Sequence, residues 1–204
     1  MNRDPAGTTR EGAKPVEESA EFAEEAALIA RIAGGEPHRF GVLVDRYQRR
    51  LWWMCLRMLG DPDEADEAVQ EAFVRAWERL GEFDPAQRFY PWVFTIARNR
   101  CRNALRRRRT WGFVSLSVDA PPAIAARDEA GAGAEDRELA RALEDCLAGL
   151  PDDQREAFDL RHGEGFRYAE IAAVLEVPEG TVMSRLHRAR EKMRDCLEGK
   201  GLKP

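Results

Sequence analysis

The most constraining feature of this chain is a stretch near its C-terminus, residues 166–193, in which two helical patterns meet at a proline. The first pattern places Ile171, Ala172 and Leu175 on one side of a helix. Pro178 disfavours helical geometry in the residue before it but suits the first turn of a following helix. The stretch therefore predicts a helix-turn-helix. One buried stripe is expected on the second helix, at Val182, Leu186, Ala189, Met193 and Leu197.

The opposite face of that second helix is polar. It carries Ser184, His187, Arg188 and Glu191, flanked by Thr181 and Arg185. Hydroxyl and guanidinium groups near a helix N-terminus suit base edges and phosphates in a major groove. An ordinary helical hairpin with a solvated charged face has the same pattern, so the pattern alone leaves both interpretations open.

Charge is unevenly distributed along the 204 residues. The net charge of -5 by itself argues against nucleic-acid binding. Residues 98–109 nevertheless hold seven arginines and no acid, whereas residues 119–145 hold eight acids and three arginines. The cations are gathered in one place, which is the pattern that matters for binding DNA.

Several classes of protein are excluded by what the sequence lacks. No apolar run approaches a membrane span, and the chain does not start with a basic and then apolar segment followed by a cleavage site, which predicts a cytoplasmic protein without membrane insertion. No nucleophile with a base or Gly-rich phosphate loop is evident, so we expect neither an enzyme nor a cofactor. The cysteines lack metal-ligand spacing, which predicts reduced, packed thiols rather than a zinc site. They are Cys55, Cys101, Cys146 and Cys196.

The first half of the chain predicts an α-helical domain. Residues 1–20 are polar and without period, so they are expected to form a disordered tail. A helix over residues 21–32 precedes a long core helix over residues 37–59. In the long helix, one indole of Trp52 and Trp53 is expected inside and the other partly outside, either as core packing or as a partner contact.

The start of a third helix is indicated by a run of capping residues. Asp61 is placed as N-cap, Pro62 at the first position and Glu64 at the third, which predicts a capping box and a helix through residue 80. Its outer face is acidic. Acids near a helix N-terminus often serve solubility and complement the helix dipole, so a partner contact is one of two interpretations. The face comprises Asp66, Glu67, Gln70 and Glu71.

An aromatic loop at residues 83–92 leads into an arginine-rich helix over residues 92–109. Aromatic rings beside guanidinium groups suit single-stranded DNA, whose bases stack while its phosphates pair with cations. Stabilisation of a helix C-terminus is the alternative, but it needs only one or two of the arginines. The side chains expected to point outward are Arg98, Asn99, Arg102, Asn103 and the arginines of residues 106–109.

A Pro- and Gly-containing linker at residues 110–136 separates this first domain, at residues 21–109, from a second helical domain at residues 137–200. The sequence therefore predicts an all-α chain of two small helical domains joined by a flexible linker. The core of the second domain is expected to contain Leu139, Leu143, Leu147, Leu150, Phe158, Leu160, Tyr168, Ile171 and Leu175.

Four motifs, taken in order, resemble an extracytoplasmic function (ECF) sigma factor of the sigma-70 family. The first reads Asp-Glu-Ala-Asp-Glu-Ala-Val-Gln-Glu-Ala-Phe-Val-Arg-Ala-Trp at residues 63–77, and the second Pro-Trp-Val-Phe-Thr-Ile-Ala-Arg-Asn at residues 91–99. Leu-Pro at residues 150–151 and Arg-Glu-Ala-Phe at residues 155–158 form the third. The fourth is the helix-turn-helix, from Tyr-Ala-Glu-Ile-Ala to Ser-Arg-Leu-His-Arg-Ala-Arg.

The resemblance implies a sigma factor for a stress or envelope-signal response. Its partners would be core RNA polymerase, through the beta-prime clamp helices and the beta flap, promoter DNA, and an anti-sigma factor. The polymerase-binding residues would be Asp66, Glu67, Gln70 and Glu71. The minus-10 element would be bound by Trp92, Arg98, Asn99, Arg102, Asn103 and Arg106. The minus-35 element would be bound by Thr181, Ser184, Arg185, His187, Arg188 and Arg190.

Two residues depart from the family pattern. Met183 stands where a basic residue is common, and Glu176 stands where the turn usually has glycine. The first departure predicts an altered minus-35 preference, and the second a turn that tolerates a side chain.

A helix-turn-helix repressor or a response regulator is the alternative. It would need a ligand pocket or a phosphoacceptor in the first half of the chain, and neither is evident.

Overall fold

The structure is a computed structural model that describes residues 15–110 and 134–202, with side chains for residues 20–108 and 138–202. Within those ranges all regular elements are helical, so the all-α prediction is confirmed. The eight α-helices are α1 (Pro15–Ala33), α2 (Phe40–Leu59), α3 (Pro62–Glu78), α4 (Phe89–Thr110), α5 (Ala134–Ala148), α6 (Asp152–Phe158), α7 (Tyr168–Leu175) and α8 (Glu179–Gly199). Short 3-10 turns occur at Pro37–Arg39 and Leu80–Glu82, and a π turn at Asp159–Gly163.

Helices α1 to α4 form an N-terminal bundle, and the junction between α2 and α3 follows the predicted cap. Gly60 ends α2 with a φ of 72°, a conformation that glycine adopts without steric cost. Asp61 then caps α3, since its Oδ1 accepts a hydrogen bond of 2.9 Å from the Glu64 amide. The reciprocal half of the predicted capping box does not form, because the Glu64 carboxylate pairs with Arg108 on α4.

Helix α1 begins earlier than the sequence indicated. Residues 15–20, assigned to the disordered tail, are helical, whereas residues 1–14 lie outside the described residues. Helix α1 is held by Glu25, a buried carboxylate that accepts hydrogen bonds from the Tyr47 hydroxyl and, at 2.9 Å, from the Phe89 amide. Because Phe89 is the first residue of α4, this carboxylate satisfies an amide that the helix itself leaves unpaired.

Helices α5 to α8 form a C-terminal module, in which α7 and α8 are the predicted helix-turn-helix. Glu176 between them has a φ of 57°, and it is the one non-glycine residue with positive φ in the described ranges. This conformation costs a residue with a side chain roughly 1–2 kcal/mol. The turn therefore keeps the backbone that glycine would favour, at some cost in stability.

Two members of the predicted C-terminal core are on the surface. Leu139 and Leu143 of α5 are 42% and 36% exposed, so their assignment to the core is wrong. Helix α5 instead packs through Ala142 and Cys146, the next positions around the helix, against Ala189 and Met193 of α8. A stripe of leucines four apart did not distinguish these two adjacent faces of the same helix.

The bundle and the module share one continuous hydrophobic core. Phe166, in the segment that precedes α7, is fully buried. Its ring makes edge-to-face contacts with Tyr90 and Phe94 of α4, with centroids 5.6 and 5.1 Å apart. Residues 111–133, which hold most of the predicted linker, lie outside the described residues.

The cysteines divide into two pairs. Cys146 of α5 and Cys196 of α8 form a disulfide, with Cα atoms 5.8 Å apart, so the prediction of reduced thiols is wrong for this pair. Fifty residues separate them, and sequence spacing at that distance does not show pairing. Cys55 and Cys101 are free and buried, as predicted. Their mutual hydrogen bond, together with burial, raises the pKa of Cys55.

We expect the disulfide to stabilise the C-terminal module by about 2–4 kcal/mol, because it closes a long loop of the unfolded chain. Chemical denaturation followed by circular dichroism should give a lower midpoint in reductant for the wild type. The midpoint of a Cys146→Ser/Cys196→Ser variant should not respond to reductant. Thiol titration of the unfolded wild type would contradict the pairing if it found four free thiols before reduction.

Candidate nucleic-acid interface

Helix α4 carries a polar stripe on one side. Asn99, Arg102, Asn103 and Arg106 follow the spacing i, i+3, i+4 and i+7, which places them on one face. All four are exposed or half-buried, and Arg106 donates a hydrogen bond of 3.1 Å to the Asn103 side-chain oxygen. Guanidinium and amide groups in a line suit the phosphates and base edges of nucleic acid.

Trp92 lies on α4, before the N-terminal end of this stripe. Its half-buried ring packs against Phe83 and Phe89, with centroids 5.1 and 5.6 Å apart. Trp92 and Asn99 line an open cleft of roughly 880 Å³, to which Arg75 of α3 and Arg79, the residue after α3, also contribute. An aromatic ring held by other rings at the edge of a basic cleft suits base stacking.

Arg98 does not point outward as the sequence predicted. It is only 7% exposed, and its Nη1 donates a hydrogen bond of 3.0 Å to the Val174 carbonyl of α7. The same guanidinium pairs with Glu156 of α6. Arg98 lies one turn of helix before Arg102, and its side chain reaches the C-terminal module. In this arrangement Arg98 is a contact between the two modules.

Glu164 forms the largest polar contact between the two modules. Its carboxylate, 10% exposed, accepts from Arg50 at 3.3 Å, Arg57 at 3.2 Å and the Tyr90 hydroxyl at 2.8 Å. Burial, and next the charge of Glu164, raise the pKa of Tyr90 above its usual range. Glu164 therefore anchors the C-terminal module to α2 and α4, a role that sequence reasoning did not find because the partners are distant in sequence.

A second ion pair lies close to Glu164. Arg88, just before α4, binds Glu170 of α7, and its Nε donates to the Glu170 carboxylate at 2.6 Å. Arg88 also donates to the Gly165 carbonyl at 3.2 Å. Both ends of the segment that carries Phe166 are thus held by arginines of the N-terminal bundle.

The acidic face of α3 is partly used within the bundle. The Glu71 carboxylate pairs with Arg100 of α4, which holds the pKa of Glu71 below its usual value. Glu67 lies 3.7 Å from the same guanidinium but keeps most of its surface exposed. Asp66 and Gln70 are exposed. The four predicted polymerase contacts therefore share one helix face, of which Glu71 is the most engaged internally.

Exposed apolar side chains extend that face. Val74 and Trp77, one and two turns beyond Gln70, are both exposed. The Trp77 ring packs against Phe40, with centroids 5.2 Å apart. Trp77 was not singled out from the sequence. Apolar groups next to acids are typical of a protein-binding surface.

The polar face of α8 remains accessible while the modules are packed. His187, Arg188 and Arg190 are exposed, and Thr181, Ser184 and Arg185 are half-buried. Arg185 turns toward α6, where its Nε lies 3.1 Å from the Asp153 carboxylate. Five of the six predicted minus-35 contacts therefore lie where a DNA groove could meet them, and Arg185 is engaged within the module.

The described ranges contain no cluster of acidic, histidine and cysteine side chains that could hold a metal ion. Among the same residues no helix is long and apolar enough to cross a membrane.

Comparison with known families gives matches for both modules. Residues 43–110 match Sigma-70 region 2, and residues 140–193 match Sigma-70, region 4. The ECF sigma-E factor of Haemophilus influenzae is 32% identical over 191 residues, which cover 88% of this chain and 98% of that protein. The ECF sigma-E factor of Escherichia coli K12 is 34% identical over 174 residues, which cover 80% of this chain and 89% of that protein.

Two solved structures are similar to this one over most of the chain. CnrH, solved in complex with the cytosolic domain of CnrY, is 30% identical with a TM-score of 0.56, covering 86% of this chain and 97% of that one. The sigma factor RpoE of Bartonella quintana, solved with the anti-sigma factor NepR, is 26% identical with a TM-score of 0.58. The alignment covers 78% of this chain and 96% of the RpoE chain.

We expect Glu164→Ala to loosen the packing of the two modules, because it leaves the Tyr90 hydroxyl and two guanidiniums without their shared acceptor. A hydrogen bond to a charged group contributes about 1.5–3 kcal/mol. Fluorescence energy transfer between labels on α1 and α8 should fall in this variant. Glu198→Ala, an exposed acid of α8, serves as control. Equal transfer in wild type and Glu164→Ala would contradict the anchoring role.

Proposed function

The chain belongs to the ECF group of the sigma-70 family, and we propose that its described surfaces divide the binding of polymerase and promoter among α3, α4 and α8. It is a sigma factor, which binds core RNA polymerase and directs transcription initiation at promoters. The relatives match over most of their length, and this excludes the alternative of a repressor or response regulator. The observation that carries the proposal is the presence of two separate polar, arginine-bearing faces, on α4 and α8, in one such chain.

The outer face of α3 is the proposed contact with the polymerase clamp helices. Asp66, Glu67 and Gln70 supply exposed polar groups, and Val74 and Trp77 supply apolar area beside them. Glu71 supports this face from below through its pair with Arg100. Acidic groups around an apolar patch favour a partner surface that has an apolar pocket surrounded by cations.

The stripe on α4 is the proposed contact with the minus-10 element. Asn99, Arg102, Asn103 and Arg106 would follow the strand, and Trp92 would stack with a base. Arg98 belongs to this surface only after the C-terminal module has moved away, since Glu156 and the Val174 carbonyl now occupy its donors. Minus-10 binding that uses Arg98 therefore requires the modules to separate.

The face of α8 is the proposed contact with the minus-35 element. A helix of this diameter fits the major groove of B-DNA, in which Arg188 and Arg190 can reach base edges or phosphates. Thr181 and Ser184 lie nearer the helix N-terminus, where hydroxyls and backbone amides bind phosphate oxygens. Arg185 serves mainly to hold α8 against α6 through Asp153.

An anti-sigma factor is a further proposed partner. RpoE of Bartonella quintana was solved with the anti-sigma factor NepR, and the likeness spans both modules of the present chain. The beta flap of the polymerase is the proposed contact of the C-terminal module. The exposed Leu139 and Leu143 of α5 offer an apolar surface for one of these proteins.

Transcription with purified core RNA polymerase tests the proposed function. The full-length protein, added to core and a library of promoter fragments with randomised minus-35 and minus-10 segments, should produce transcripts that start from a selected subset. The protein should also co-purify with core. Transcripts no different from those of core alone, together with a failure to co-purify, would contradict the function.

We expect Asp66→Lys/Glu67→Lys to weaken binding to core by roughly tenfold or more, because like charges would then face each other across the interface. Both residues are exposed, so the fold should persist. The measurement is titration of labelled protein with core. A matched reversal of two exposed acids on α1, Glu21→Lys/Glu24→Lys, controls for net charge. Unchanged affinity of a folded α3 variant would remove this face from the polymerase contact.

A further inference from the structure

Met183 has an unusual setting on the DNA-reading helix. It lies in the second turn of α8 and is 54% exposed, whereas its neighbour Val182 is fully buried. Few large apolar side chains are this exposed in the described ranges, and most of the others lie on α2, α3 and α5. His187 follows one turn later on the same side and is exposed as well.

The first turns of α8 offer no cation to DNA. Residues 179–184 read Glu-Gly-Thr-Val-Met-Ser, without lysine, arginine or histidine. Arg185, the first cation of the helix, is turned to Asp153 of α6 and lies 3.1 Å from its carboxylate. The Ser184 hydroxyl donates to the Thr181 carbonyl within the helix, at 2.9 Å. Guanidinium groups become available to DNA only from Arg188 onward.

The chemistry of this part of the face limits which bases it can read. Guanine is recognised in the major groove mostly by a bidentate arginine or lysine on its O6 and N7 atoms. Residues 179–184 carry no such donor, and Arg185 in the second turn is paired with Asp153. A thioether donates no hydrogen bond, but it is flexible and polarisable and packs well on apolar groups. The apolar group that the major groove displays is the C5-methyl of thymine.

We propose that Met183 reads the C5-methyl group of a thymine in the minus-35 element. This inference rests on the proposed function, because it requires α8 to enter the major groove there. The inference adds a base preference to the proposed function. The base pair that faces the second turn of α8 contains thymine, and guanine is read only by arginines from Arg188 onward. Met183 then determines the preference for thymine, while Arg188 contributes to binding independently of the thymine methyl group.

A uracil scan tests the role of Met183. A minus-35 duplex is first selected from random sequence by the holoenzyme that the full-length protein forms with core. Each thymine of the selected duplex is then replaced by deoxyuridine, which removes only the methyl group. We expect one or two adjacent replacements to weaken wild-type binding about fourfold, the effect of one buried methyl group. The same replacements should leave the binding of Met183→Ala unchanged.

Three further variants separate the outcomes. Val42→Ala removes an apolar side chain of α2 that is 45% exposed and lies outside the proposed contacts, and it should keep the full uracil effect. Arg188→Ala should weaken thymine and uracil duplexes alike. Met183→Arg should move the selected base at that position toward guanine. A uracil effect that is absent, or equal in wild type and Met183→Ala, would overturn the inference. Failure of the holoenzyme to select any minus-35 sequence would instead overturn the proposed function.

Discussion

The burial of Phe166 between Tyr90 and Phe94 is the contact on which the relation of the two modules depends. A fully buried phenylalanine removes a large apolar area from water, and its edge-to-face geometry suits the ring quadrupoles. Around it lie the Glu164 cluster and the pair between Arg88 and Glu170. An aromatic centre with a charged rim is the anatomy of an interface between proteins, which indicates a contact that can open.

The charged rim also sets how such an opening responds to its surroundings. Arg50 and Arg57 are partly exposed, so their pairs with Glu164 gain little in water and weaken as salt screens them. Arg98 is more deeply buried, and it loses the Glu156 carboxylate whenever it binds a phosphate. Closure of the modules and the proposed use of Arg98 on DNA would therefore compete for one guanidinium. The face of α8 is free of this competition, because His187, Arg188 and Arg190 stay exposed while the modules are packed.

Prediction from sequence succeeded where the structure depends on neighbours along the chain. Pro178 fixed the break between α7 and α8, and Asp61 fixed the start of α3, since both act through backbone groups within one turn. It failed where two faces of a helix look alike. On α5 a leucine repeat concealed that Ala142 and Cys146 face the core, and on α4 a run of arginines concealed that Arg98 is buried against the C-terminal module whereas Arg102 is exposed.

The sequence by itself determined the helical class, the Asp61 cap, the helix-turn-helix and the family to which its motifs belong, because periodicity and capping are local properties. Tertiary structure decided which of the charged groups remain available to a partner. Arg98 is 58 residues from Glu156 and 76 from Val174, and Cys146 is 50 from Cys196. Such pairings depend on how whole helices pack, and packing is set by the summed shape of many side chains rather than by any one spacing.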